Sequence, residues 1–170
     1  LNVNVLDVGI THDAWRSADL HPLSFVDTEY FTEVGRIAER GTLDGYFLAD
    51  GPGLREDPRH KPGRALEPTT ILGAVAAATE HIGLIGTLST TFNDPWELAY
   101  RIASLDYVSG GRVAWNVVTT YAEDIAGNFG LTELPDRDTR YRRAAEFVDA
   151  VNELWASARN RTPVRFDGEF

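Results

Sequence analysis

Four places in this sequence carry side chains suited to holding or acting on a small bound molecule. Asn116 lies inside the apolar run VAWNVV, residues 113–118. An amide in such a run needs hydrogen-bond partners, and it brings both a donor and an acceptor. It can meet the edge of a heterocyclic ring, or it can join a network between neighbouring strands. A second apolar run, residues 82–87, ends in Thr87 and continues as Leu88-Ser89-Thr90-Thr91. Hydroxyls gathered at a strand end can donate to a ligand carbonyl or ring nitrogen, or they can satisfy local backbone. Asp50 closes the run GYFLA, either as a ligand contact or as a turn-forming residue. His12, in Thr11-His12-Asp13-Ala14-Trp15-Arg16, can donate, accept or move a proton near neutral pH, or be a hydrogen-bonded structural residue.

Other chemistries lack their residues. His21, His60 and His81 have no companion carboxylates at ligand spacing, so no metal is expected. There is no Cys and no G-x-S-x-G, hence no sign of a hydrolase nucleophile. Asp44 and Glu67 form no convincing glycosidase pair. No strand-to-helix turn reads G-x-G-x-x-G or G-x-x-x-x-G-K-[ST], which disfavours Rossmann and P-loop sites and leaves a flavodoxin-like sheet open.

The elements that must position these residues alternate four times between strand and helix. Strands are expected at residues 3–10, 45–49, 82–87 and 113–118, as short apolar runs covered on both faces. The first helix should run from a cap at Asp27 or Thr28 to about Arg40, burying Phe31, Val34, Ile37 and Ala38, with Gly41 as its stop. The second starts near Pro68 and buries Ile71, Leu72, Val75 and Ala78. The third is capped by Asn93 or Asp94, buries Leu98, Ala99, Ile102 and Leu105, and ends at Gly110 and Gly111. The fourth runs from about Arg140 to Ala156, with Tyr141, Ala144, Ala145, Val148, Val151 and Trp155 on one stripe. Such alternation implies a parallel sheet with right-handed crossovers, either doubly wound or a barrel. The long polar connections, 50–67 and 119–139, both leave strand C-terminal ends. Under either architecture that end carries the site. Four βα units make about half of an eight-fold barrel.

Composition sets the outer bounds. The 170 residues are 43% hydrophobic and 25% charged, as in an ordinary globular domain. A net charge of −10 disfavours nucleic acid as a partner and is read mainly as solubility. No apolar run approaches the length of a membrane span, and the first ten residues lack the features of a secretory signal, so a cytoplasmic enzyme is expected. The sequence begins at Leu1 and contains no Met, so it is expected to be part of a longer product.

Several longer runs together carry a resemblance. They are His12-x-x-Trp15-Arg16, AERGTLDGYFLAD (38–50), LEPTTILGAVAAATEHIGL (66–84), DPWELAYRIASLDYVSGGRVAWNVVTT (94–120), Asn128-Phe129-Gly130, and Arg140-Tyr141 with Ala144-x-Glu146-Phe147 and Leu154-Trp155. The sequence resembles the bacterial-luciferase-like flavin monooxygenases, in the nitrilotriacetate and long-chain-alkane monooxygenase branch. The resemblance implies a (β/α)8 TIM barrel, with residues 1–170 as the N-terminal part of one barrel domain. It further implies reduced FMN supplied by a separate flavin reductase, O2, a small organic substrate, and a homo-oligomer. Carried over to this sequence, it implies Asp50, Thr87, Ser89 and Asn116 near the isoalloxazine, and Tyr141 near the ribityl phosphate. Arg137 stands where relatives often have a His, and a guanidinium there can still pair with phosphate. His12 would face the substrate or the flavin. The paired Ser residues that complete the phosphate site in relatives lie beyond these 170 residues. Gly51-Pro52-Gly53 and residues 58–63 give the strand-two loop a lid-like composition. A deazaflavin-dependent hydride-transferring barrel and a non-catalytic flavin-binding relative are the alternatives.

Overall fold

The computed structural model describes residues 1–170 except 7, 8, 10, 12, 13, 18, 20, 22 and 53–65, and except the side chain of Trp15. Four strands, β1 (Asn2–Val5), β2 (Gly45–Leu48), β3 (Gly83–Ser89) and β4 (Val113–Val118), alternate with four helices. These are α1 (Thr28–Arg40), α2 (Pro68–Ala78), α3 (Pro95–Ser109) and α4 (Arg137–Asn160). All strand pairs are parallel, and the spatial order β1-β2-β3-β4 follows the chain. A doubly wound sheet reverses direction from its first strand; this one never does. Each helix packs on the next, α1 on α2, α2 on α3 and α3 on α4, so all four cover the same face. That is the winding of a (β/α)8 barrel.

Two apolar clusters lie between helices and sheet. The first joins Phe31 and Ala38 of α1 with Tyr46, Leu48, Ile71, Leu72, Val75, Leu84 and Leu105. Leu72, Val75, Leu84 and Tyr46 are fully buried, and the Tyr46 hydroxyl donates to the Phe31 carbonyl at 3.2 Å. Burial pushes the Tyr46 phenol well above its usual range, so it stays neutral. The second cluster joins Leu88, Leu98, Ala99, Ile102, Phe147 and Val151. Trp115 and Trp155 close its edges and donate their indole N–H groups to the Leu88 and Ala99 carbonyls, both at 3.0 Å.

Because Leu84 and Leu88 point to the helices, alternation sends Ile85, Thr87 and Ser89 to the opposite, inner face. On that face a Cβ added to Gly45 would stand 2.6 Å from Asn2 Oδ1 and 2.9 Å from Ile85 Cδ1. Side chains of both neighbouring strands converge over this glycine, as on a concave surface.

Several expected boundaries and faces are corrected. Strand one stops at Val5, and the backbone turns at Gly9, whose N–H meets the Leu6 carbonyl. β3 runs on to Ser89, because the hydroxyl residues keep pairing with β4 through Ser89↔Val118. Helix α4 begins at Arg137 rather than Arg140, because Asp136 caps it by accepting the Thr139 N–H at 3.0 Å. Ile37 is 55% exposed. The buried face of α1 instead passes through Gly35, where a Cβ would come within 2.8 Å of Val75 Cγ1, so α1 and α2 approach closely there. On α2, Ala76 is buried in place of Ala78. On α4 the buried stripe is Ala144, Phe147, Ala150 and Val151, and Tyr141 and Ala145 lie off it. The stripe expected for α3 is buried throughout. Among the described residues no helix is long and apolar enough to cross a membrane.

Candidate functional site

The connections at the N-terminal ends of the strands, residues 41–44, 79–82 and 110–112, are short. Of those at the C-terminal ends, the ones after β1, β2 and β4 are long and the one after β3, residues 90–94, is short; the one between β4 and α4 holds a 3-10 segment, Glu123–Phe129. All four helices therefore start at the C-terminal rim, and each starts with a carboxylate cap: Asp27, Glu67, Asp94 and Asp136 accept backbone N–H groups of their first turns. At Glu67 burial alone would raise the carboxyl. Side-chain and backbone hydrogen bonds from Thr69 and Thr70 outweigh burial and hold it below the ordinary Glu value. Part of the chain's acidity thus serves to start helices.

On the inner face near this rim, Thr87 and Asn116 are register partners. The Asn116 Nδ2 donates to Thr87 Oγ1 at 2.9 Å. Thr87 is 3% exposed, and its own proton has no acceptor among the described residues. Asn116 Oδ1 has no hydrogen bond there either. One step further along β3, the Ser89 oxygen accepts the Thr91 N–H at 3.1 Å and the Thr120 hydroxyl at 2.6 Å. The Ser89 carbonyl accepts the Asn93 amide at 2.8 Å, and Asn93 Oδ1 accepts Arg101 Nη2 at 2.7 Å. The other Arg101 nitrogen lies 3.6 Å from Glu67. From α4, Arg143 donates to the Thr90 carbonyl at 3.1 Å. The stretch Ser89–Asn93 is therefore held by β4, α3 and α4 together.

This set is neutral, and Thr87 and Asn116 keep hydrogen-bonding capacity on the concave side. It fits an uncharged ring with carbonyl and imide groups, such as an isoalloxazine, better than a phosphate or a metal. No group of three or more metal-ligating side chains occurs among the described residues.

The structure brings together Thr87, Ser89 and Asn116 from the residues expected in the site. Asp50 follows β2 at the same rim and is half-buried. Arg137 opens α4, with its guanidinium 5.5 Å from the centre of the Tyr141 ring, and Tyr141 is 57% exposed. No hydrogen bond among the described residues ties this pair to Thr87 or Asn116. His12 and most of the lid-like segment, residues 53–65, lie outside the described residues. Sequence reasoning missed Thr120, Asn93 and Arg143, and also the stack of Phe92 on Phe129, 4.0 Å between centroids, which joins the two rim loops. The available signal was a pair of Thr-Thr steps, Thr90-Thr91 and Thr119-Thr120, each just past an inward-facing strand position.

Comparison with known proteins agrees with this geometry. The chain is 42% identical over 161 residues to nitrilotriacetate monooxygenase component A of Aminobacter aminovorans, covering 88% of this chain and 36% of that protein. Among solved structures, EDTA monooxygenase from Chelativorans sp. BNC1 superposes with a TM-score of 0.86 at 35% identity, covering 91% of this chain and 37% of that one. A riboflavin lyase solved with modified FMN and riboflavin superposes with a TM-score of 0.78 at 34% identity, covering 91% and 37%. The chain thus spans about a third of the length of these relatives. The family model described as luciferase-like monooxygenase matches residues 8–170, and the chain belongs to that family, as four βα units of its (β/α)8 barrel.

Proposed function

We propose that the complete protein is an FMN-dependent monooxygenase that uses O2 to oxidise a small organic substrate, with the FMN reduced by a separate flavin reductase. The observation that carries this reading is the Thr87–Asn116 pair, 2.9 Å apart on the inner face at the C-terminal rim, with donor and acceptor capacity left over. In such a site Asn116 and Thr87 hold the polar edge of the ring, and Ser89 adds a hydroxyl. Asp50 contributes from the end of β2, and Arg137 and Tyr141 lie toward the ribityl phosphate. His12 faces the substrate. Bound and reduced, FMN supplies the electrons that activate O2, while the protein orients the ring and keeps water away. The names of the similar proteins, among them monooxygenases acting on small organic compounds and a structure containing modified FMN, support the cofactor and the reaction class.

The reading includes a cytoplasmic setting, where a reductase can deliver reduced flavin by diffusion, and self-association. In support of self-association, the outer face of α3 exposes Trp96 stacked on Tyr100, 5.6 Å between centroids, together with Tyr107. Helix α3 lies between α2 and α4, so further barrel units joining at β1 or β4 would leave this face open to a second copy. Sedimentation of the intact product over a range of concentrations tests it.

The central test is flavin titration of the apoprotein. FMN should bind, and Asn116→Ala should weaken it about tenfold, the worth of one well-placed hydrogen bond. Unchanged affinity would remove Asn116 from the site. Tighter binding of a deazaflavin than of FMN would overturn the cofactor assignment.

A further inference from the structure

Where the ends of β1 and β2 meet α1 and α2, an apolar cavity opens at the C-terminal rim. Its deep end is Val5, Phe31, Leu48 and Ile71, all buried members of the first apolar cluster, so it descends between sheet and helices. Phe25 and Leu66 stand at its outer end; Phe25 is half-buried and Leu66 is 36% exposed. Every residue that lines it has an apolar side chain. There is room for about one small molecule, well short of the pockets that hold organic ligands.

Water does not suit this cavity. A buried water makes about three hydrogen bonds to polar groups that lack other partners. No lining side chain offers one, and backbone groups beside the cavity are engaged elsewhere. The Leu6 carbonyl accepts the Gly9 N–H at 2.7 Å, and the Phe31 carbonyl accepts the Tyr46 hydroxyl at 3.2 Å. The Ile71 N–H goes to the Glu67 carbonyl at 3.3 Å, and Val5 and Leu48 are paired in the sheet. A cavity of this kind stays dry and takes small apolar guests such as xenon.

Its position gives such a guest a use. Ala49 lines the cavity and directly follows β2. The register Leu48↔Gly86, carried one step further, sets Ala49 level with Thr87 on the neighbouring strand. Adjacent strands lie about 4.8 Å apart. The cavity therefore adjoins the polar pair read above as the anchor of the ring. An enzyme of that kind must keep water from the reduced flavin and still admit O2, which is small and apolar.

We propose that this cavity is a holding site for O2 beside the flavin: its apolar walls admit O2 from the rim and refuse water. The proposal rests on the FMN reading above and adds to it the place from which the oxidant arrives.

The test uses the complete gene product as wild type, Ile71→Phe, which fills the deep end, and Leu66→Trp, which plugs the outer end at an exposed position that folding tolerates. Xenon is the probe for the cavity. Under xenon pressure the wild-type methyl resonances of Val5, Leu48 and Ile71 should shift and saturate, and in Ile71→Phe those of Val5 and Leu48 should not. No shift in the wild type, or shifts that grow without saturating, would overturn the proposal. FMN affinity is then compared with the rate at which O2 oxidises bound reduced FMN in the absence of organic substrate. That step passes a pair of electrons and a pair of protons to O2 and yields oxidised FMN and H2O2. Both variants should keep FMN affinity within about twofold of wild type, while the rate per unit O2 concentration falls roughly fivefold. If Ile71→Phe does not fold, Leu66→Trp decides. A wild-type rate in a folded variant takes the cavity off the path of O2, and the proposal fails while the FMN reading stands. A rate loss that only accompanies lost FMN affinity marks the cavity as structural and also overturns the proposal. If the wild type does not bind FMN, both fail.

Discussion

At the N-terminal ends of the strands, the residue that joins helices to sheet uses every donor it has; at the C-terminal ends, the polar residues that join β3 to β4 keep some back. Arg112 is the first case. Its Nε donates to the Ser109 carbonyl, one terminal nitrogen to Thr79 Oγ1 and the Ile82 carbonyl, and the other to the Ala76 and Thr79 carbonyls, at 2.7–3.0 Å. On the same α2–β3 connection, the Glu39 carboxylate receives the backbone N–H groups of Glu80, His81 and Ile82. A guanidinium and a carboxylate clasp four residues from two sides, and nothing is left over for a ligand. At the other rim Thr87 and Asn116 are held by a neutral contact with each other, and each retains a donor or acceptor. The comparison teaches how one sheet separates stability from recognition. Complete internal satisfaction marks the closed end, and partial satisfaction in a buried setting marks the end that expects a guest.

The sharpest way to break this division is Arg112→Ala. It strips charged donors from several part-buried carbonyls at once, so a loss of about 3 kcal/mol or more is expected in urea unfolding. FMN affinity of the folded fraction should change little. A large loss of affinity with intact stability would mean that the two ends are not separate.

Glu39 sharpens the comparison through pH. Burial tends to raise its carboxyl, but the backbone donors of His81, Ile82 and Glu80 outweigh burial and hold it below the ordinary value of 4.5. A lowered native pKa adds stability that is complete above the unfolded value and disappears as pH falls through the native one. Wild-type Tm should therefore decline on acidification below about pH 4.5, and Glu39→Gln should decline less steeply there. Parallel curves for the two proteins would remove Glu39 from the clasp.

Arg137 gives the smallest effect. It is exposed at the start of α4, where a positive charge opposes the helix dipole, and its guanidinium lies over the Tyr141 ring. Arg137→Ala should leave unfolding within about 0.5 kcal/mol of wild type. If the side chain meets the phosphate, the variant should bind FMN roughly threefold more weakly, with riboflavin affinity unchanged and the difference shrinking at high salt. Equal losses for FMN and riboflavin would place Arg137 away from the phosphate.

Much of the fold could be read from residue order. β4 matches its expected span, and the α3 stripe of Leu98, Ala99, Ile102 and Leu105 is buried as spacing predicts. Both have strong local signals, an apolar run that follows Gly110-Gly111 and a helical repeat behind an Asp-Pro start. Ile37 and Tyr141 misled because their faces are decided by where α1 meets α2 and where α4 meets α3, and helical period alone cannot fix that choice. In the site, Thr87, Ser89 and Asn116 were legible as polar residues in or just beyond apolar strands. Their pairing was not, since the 2.9 Å contact depends on the register between β3 and β4. Thr120 was out of reach for a further reason: a positive φ at a threonine leaves no mark in composition or spacing.

The strictly sequential winding of the sheet has a consequence for synthesis. Within these four units each strand–helix pair leans on its neighbour in the chain, so a nascent chain can set them in the order in which they emerge, while the free edge of β1 waits for the barrel's last strand to close on it.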